Sequence, residues 1–307
     1  MGKIAFVFPG QGAQAVGMGK DAYEQAPAAR EAFDRADDAL GFPLSRLAFE
    51  GPEEELRQTA NTQPALLATS VALLDVYRGQ GVKPDFVAGH SLGEYSALVA
   101  AGVLGFEDAV RLVRARGQFM EQAVPGGRGA MAAVLGAERE PLAALCRDVS
   151  EKVGRVELAN VNCPGQIVVS GTAEGVAEVG ERGKEAGAKR VIPLEVSGPF
   201  HSSLMQPAAD RLAEALAGVE FRDAAVPVVA NVHALPVTSG AELRELLVRQ
   251  VVSPVLWEDT VRWLIGQGVD TFVEIGSGTV LAGLIRKIDK AVQVVAVNTA
   301  AAALGQA

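Results

Sequence analysis

Phe86-Val87-Ala88-Gly89-His90-Ser91-Leu92-Gly93-Glu94 runs a short apolar segment into a G-x-S-x-G pentapeptide. The apolar helical stretch 92–101 leaves it at once. Strand, sharp turn and helix in that order form the context a nucleophile elbow requires. Working outward, buried strands are expected at 4–8, 226–230 and 271–275, each an apolar run bounded by Gly or Pro. Amphipathic helices are expected at 21–40, 64–79, 106–123, 207–217, 242–251, 257–267 and 279–287. This alternation predicts an α/β fold, with a mainly parallel sheet covered by helices on both faces.

Residues 128–196 have a different rhythm. Strands are expected at 129–135, 156–162, 166–170 and 190–196, with helices at 139–150 and 173–186. The order β-α-β-β-α-β is the ferredoxin-like arrangement. Pro125-Gly126-Gly127 and Ser197-Gly198-Pro199 mark its ends. The expected organisation is therefore one core, 1–127 with 197–307, interrupted by a small inserted domain, 128–196. Surface scaling gives a chain of 307 residues about 12,000 Å² of exposed surface once folded, enough burial to need no staple.

Composition narrows the function. A net charge of −9 argues against nucleic acid as a partner. Two cysteines, Cys146 and Cys163, match no zinc spacing. No uncharged apolar run is long enough to span a bilayer, and the first strand is too short for a signal-peptide core. A cytoplasmic protein that does not enter membranes is expected.

Ser91 is the candidate nucleophile. Glycines on both sides allow a strained turn that lifts its hydroxyl clear, and the Leu92 amide lies at a helix start, where a developing anion is favoured. A serine needs a base. His90 adjoins the serine and points away along the turn, and His233 follows a strand end. His201, in the loop Gly198-Pro199-Phe200-His201-Ser202, is the best candidate. No acid stands between Ser91 and His201 after a late strand, which tilts the reading away from an ordinary esterase. Arg116 sits among Leu112, Val113, Phe119 and Met120 at helical spacing. It either snorkels outward or meets a buried anion through its bidentate fork. Arg111 is expected to pair with Glu107 on the solvated face. The amide of Gln11, in Pro9-Gly10-Gln11-Gly12, is a candidate second oxyanion donor, with a plain turn as the alternative. Gly276-Ser277-Gly278 lacks the third glycine of a dinucleotide fingerprint, since 281 is Leu281.

Phe8-Pro9-Gly10-Gln11-Gly12, Asn61-Thr62-Gln63-Pro64-Ala65, Gly89-His90-Ser91-Leu92-Gly93-Glu94, Arg116-Gly117, Gly129-Ala130-Met131, Asn160 to Gly165 and Phe200-His201-Ser202 occur in this order. The chain closely resembles, end to end, the bacterial malonyl-CoA:acyl carrier protein transacylases of fatty acid synthesis. Polyketide synthase acyltransferase domains share the pattern. The resemblance implies a hydrolase-like α/β core with the inserted small domain. It implies Ser91 as the nucleophile, His201 as base and then acid, Arg116 as the holder of the malonyl carboxylate, and the Gln11 and Leu92 amides as the oxyanion hole. Gln250 matches the position whose backbone carbonyl orients the histidine. Phe200 before His201 matches the malonyl-preferring pattern, while Gly198-Pro199 departs from the family consensus. No metal and no bound cofactor are implied. Malonyl-CoA and CoA, and the phosphopantetheine thiol of a transiently bound acyl carrier protein, are the implied substrates and partners of a monomer. Lys189-Arg190 and Arg286-Lys287 with Lys290 are candidates for meeting an acidic carrier protein. A polyketide-serving acyltransferase and a serine thioesterase are the alternatives.

Overall fold

The computed structural model describes residues 2–306. Its strands are β1 (Lys3–Phe8), β2 (Phe86–Gly89), β3 (Gly129–Leu135), β4 (Val156–Cys163), β5 (Gln166–Thr172), β6 (Arg190–Pro193), β7 (Val228–Val229), β8 (Pro236–Val237), β9 (Val269–Ile275) and β10 (Gln293–Val297). The main sheet runs β10-β9-β1-β2-β7-β8. Its pairs are parallel, except that β8 returns antiparallel on β7. Alternation along β1 splits its side chains between two cores. Phe6 and Phe8 pack with Phe33, Leu66 and Leu73 on one face. Ala5 and Val7 pack with Trp257 and Phe272 on the other.

Register brings the site together. Phe8 lies beside Gly89, so the loops leaving β1 and β2 start side by side. Glycines let these backbones touch. A Cβ on Gly93 would sit 2.1 Å from the Phe8 carbonyl oxygen, and one on Gly10 would sit 2.2 Å from that of His90.

The second sheet runs β4-β5-β3-β6, every pair antiparallel, which is the ferredoxin-like order. Helices Arg139–Lys152 and Ala173–Arg182 cover it, with a core of Val134, Leu142, Val149, Val156 and Val169. Met131, Ala159 and Val168 join the main core instead. Backbone bonds of 2.9 Å, Val161 N–H to the Val255 carbonyl and Val255 N–H to the Ala159 carbonyl, tie β4 to the segment before the helix Trp257–Gly266.

Several boundaries differ from expectation. The 21–40 helix is two helices, Lys20–Gln25 and Pro27–Leu40, because Ala26 precedes a proline and is extended (φ −126°, ψ 120°). The next long helix begins at Thr59 rather than 64 and contains Pro64. The Ala60 carbonyl, which Pro64 cannot serve, accepts Arg114 Nη1 at 3.3 Å. Short helices Leu44–Glu50 and Glu53–Leu56 are additional. β6 stops at Pro193, so Glu195 lies outside the strand. β7 is only two residues long, and β8 and the edge strand β10 have no expected counterpart. Among the described residues no helix is long and apolar enough to cross a membrane.

Candidate active site

Ser91 stands between β2 and the helix Gly93–Ala100 with φ 52°, in the left-handed region that a serine rarely adopts. The neighbours enforce it. A Cβ on Gly89 would fall 1.9 Å from the Gly93 backbone, so only glycine permits this tightness. Asn231, buried just beyond β7, staples the turn. Its Oδ1 accepts the Ser91 N–H at 2.8 Å and its Nδ2 donates to the Gly89 carbonyl at 2.7 Å. The strained turn is thereby held by bonds from a segment 140 residues away.

His201 also has positive φ, 57°. Its Nε2 lies 2.7 Å from Ser91 Oγ, and its Nδ1 lies 2.9 Å from the Gln250 backbone carbonyl. A carbonyl only accepts, so Nδ1 carries the hydrogen and Nε2 presents a lone pair to the serine. Gln250 is in the last turn of the helix Gly240–Val251. Carbonyls there have no intrahelical partner, and the helix end favours positive charge on the ring. This does the orienting work that an acid does elsewhere. Burial chiefly, and then the positive charge of Arg116, push the His201 imidazole down to about 3. Both act against protonation and favour the neutral ring.

Arg116 is 1% exposed and does not snorkel. Gly117 is the reason its helix, Phe106–Gln122, can approach so closely. A Cβ there would lie 2.7 Å from the Ala60 Cα and from the Thr59 carbonyl oxygen. The guanidinium donates from Nη1 to Gln63 Oε1 at 2.7 Å, and from Nη2 to Gln250 Oε1 at 2.9 Å and Ser91 Oγ at 3.2 Å. Its partners are neutral, and its Nε is buried without any. Arg111 pairs with Asp108 at 3.0 Å and not with Glu107, which is taken by Arg35 at 2.7 Å.

Ser91, His201 and Arg116 open onto one cleft of about 120 Å³, walled further by Gln11, Gln63, Met120, Met131 and Phe200. Leu92 and Gln11 both border it, and the N–H of neither donates to another group among the described residues. The other histidines are elsewhere engaged. His90 Nε2 meets Asn162 Oδ1 at 2.8 Å, and His233 Nδ1 accepts the Leu235 N–H at 3.1 Å. At the end of β9, both carboxylate oxygens of Glu274 accept the Leu281 and Ala282 amides at 3.0 and 2.7 Å. The helix start after Gly276-Ser277-Gly278 is thus closed by the chain's own carboxylate, where a dinucleotide would place phosphate.

Residues 5–305 match the model of the acyl transferase domain family. A malonyl CoA-acyl carrier protein transacylase of Bacillus subtilis is 56% identical, over 97% of this chain and 94% of that protein. The chain belongs to the malonyl-CoA:acyl carrier protein transacylase family. A solved acyl carrier protein S-malonyltransferase from Vibrio cholerae superposes with a TM-score of 0.95 at 48% identity, covering 98% of both chains. A malonyl-transacylase solved in complex with a type II polyketide synthase acyl carrier protein gives a TM-score of 0.95 at 46% identity, covering 99% of this chain and 98% of that one. Within this transacylase, four residues around the site escape sequence reasoning as actors: Gln63, Glu94, Asn162 and Asn231. Gln63, Glu94 and Asn162 stand inside the quoted motifs. Asn231 is a polar residue closing an apolar strand, and that was its only local signal.

Proposed function

We propose that this chain transfers malonyl from malonyl-CoA to the phosphopantetheine thiol of an acyl carrier protein, through a malonyl ester on Ser91. The observation that carries the reading is a buried arginine, held by neutral amides, within 3.2 Å of a serine hydroxyl that faces a neutral histidine at 2.7 Å. In malonyl-CoA one methylene separates the thioester carbonyl from the free carboxylate. A cation beside the nucleophile therefore suits both ends of so short a group.

His201 Nε2 takes the Ser91 proton as Oγ attacks the thioester carbonyl. The tetrahedral oxyanion rests on the Leu92 and Gln11 amides. The C–S bond breaks, and CoA leaves as the thiol with the proton from His201. The carrier-protein thiol then attacks the ester by the same steps in reverse. No step calls for a metal or a bound cofactor. The Gln250 carbonyl keeps the imidazole aligned throughout. We also propose that 1–127 with 197–307 form the catalytic unit and 128–196 an inserted unit, that the chain works as a cytoplasmic monomer supplying fatty acid synthesis, and that Lys189, Arg190, Arg286, Lys287 and Lys290 meet the acidic carrier.

Intact-mass measurement after mixing with malonyl-CoA tests the reading. One malonyl group should be gained, should persist in buffer, and should discharge when holo carrier protein is added. Rapid release of free malonate without the carrier would instead mark a thioesterase.

The His201 shift predicts a pH response. An ordinary imidazole, titrating near 6.5, would be about 3% neutral at pH 5, a loss of about 30-fold. The folded value lies below the free one, so the neutral base persists as pH falls. The acylation kcat/KM for malonyl-CoA is expected to stay within a few-fold between pH 7 and pH 5. An acid limb centred near 6.5 would contradict the assigned environment of the base.

A further inference from the structure

Glu94 is fully buried three residues after the nucleophile, and no step above uses it. Its Oε2 accepts the Asn231 N–H at 2.9 Å and Gln250 Nε2 at 3.2 Å, while Oε1 meets no donor among the described residues. Burying a carboxyl with one oxygen unpartnered is costly to the fold, so what the other oxygen holds matters. It holds the Gln250 amide. Nε2 of Gln250 faces three acceptors: the Ser91 carbonyl at 3.0 Å, Glu94 Oε2 at 3.2 Å and Asn231 Oδ1 at 3.2 Å. Oε1 of Gln250 faces a donor, Arg116 Nη2, at 2.9 Å. Reversing the amide would set its oxygen against three acceptors and its NH2 against a guanidinium, so one orientation alone satisfies the network. Each of the three acceptors also takes a backbone N–H, the Ser91 carbonyl that of Glu94, Asn231 Oδ1 that of Ser91 and Glu94 Oε2 that of Asn231. Glu94 supplies the carboxyl among them.

We propose that Glu94 is a positioning residue for acyl selection: by anchoring the Gln250 amide it keeps Gln250 Oε1 on Arg116 Nη2, and so holds the guanidinium aimed at the acyl group. The inference rests on Arg116 receiving the malonyl carboxylate. Without Glu94, Gln250 Nε2 loses its one carboxyl partner and keeps the Ser91 carbonyl and Asn231 Oδ1, so Oε1 is held less firmly on Arg116 and Gln63 is left as the more fixed amide partner.

The test compares kcat/KM for enzyme acylation by malonyl-CoA and by acetyl-CoA in four variants. Glu94→Ala is expected to lower the malonyl-to-acetyl ratio about tenfold or more, mainly through the malonyl-CoA KM. Glu94→Gln, whose amide oxygen can accept both hydrogen bonds of Oε2, is expected to keep the ratio within about threefold. In an Arg116→Ala background, Glu94→Ala should leave the ratio where Arg116→Ala put it. An equal fall on both substrates, or a ratio as low in Glu94→Gln as in Glu94→Ala, overturns the proposal. If Glu94→Ala does not fold by circular dichroism, Gln250→Leu replaces it. That variant keeps the backbone carbonyl on His201 but carries no amide relay, and an unchanged ratio in it overturns the proposal equally. Should Arg116→Ala itself leave the ratio untouched, the Arg116 reading is what has failed, and the relay falls with it.

Discussion

Replacing Ser91 by alanine is expected to abolish the malonyl-enzyme and to lower transacylase turnover about 10⁴- to 10⁶-fold. In the proposed reaction the serine oxygen carries the acyl group between two thiols, and neither cysteine thiol can take its place. Cys146 and Cys163 are both buried, and desolvation raises both thiols, Cys146 to about 12. His201→Ala should cost a comparable factor. With Nε2 at 2.7 Å the hydroxyl proton has a destination, and without it Ser91 is left near its unactivated reactivity. The two groups act as a unit, so the double variant should be little worse than either single one. Intact mass and single-turnover discharge from malonyl-CoA provide the readout. Strictly additive losses, or an adduct that survives in Ser91→Ala, would sink the assignment.

The elbow was legible in the sequence because its physics is local. Gly89, Ser91 and Gly93 must share a turn whose dihedrals exclude most side chains, and the flanking strand and helix carry their own periodicity. His201 and the missing acid were legible in part. Only three histidines exist, and the absent acid left the orienting group open until the helix end at Gln250 was in place. Helix starts were read less well. Pro64 is a common first-turn residue, yet the helix begins five residues earlier, because Arg114 takes the carbonyl that the proline leaves free. The two-residue β8 is too short to show a period and exists only by pairing with β7 just before it, and β10 is an edge strand held on β9 alone. The clamp around Gln250 was not legible at all. Its bonds reach Ser91, Glu94, Arg116 and Asn231 across 19 to 159 residues, and nothing in the local pattern marks a glutamine as a junction. Arg116 was left open between two fates, and packing decided it. Close approach of two helices at Gly117 denies its side chain a route to water.

Arg116→Ala is expected to lower the preference for malonyl over acetyl groups by about 2–5 kcal/mol, roughly 30- to 5,000-fold in the ratio of kcat/KM values. The guanidinium is fully buried, and among the described residues no carboxylate pairs with it directly. Neutral amide oxygens of Gln63 and Gln250 fix its plane without cancelling its charge. In so dry a place a cation with no carboxylate in contact is worth most to an anionic ligand. The ratio is the proper readout, because Arg116 also acts on both substrates alike. It donates to Ser91 Oγ and its charge lowers His201, so its loss should alter the common chemistry as well. Those shared effects divide out, and what remains is the interaction with the one group that acetyl lacks. Arg116→Lys should recover only part of the preference. An ammonium is a point charge without the planar fork, and it cannot grip two amides and a carboxylate at once. Equal losses on malonyl-CoA and acetyl-CoA would assign Arg116 to the serine alone.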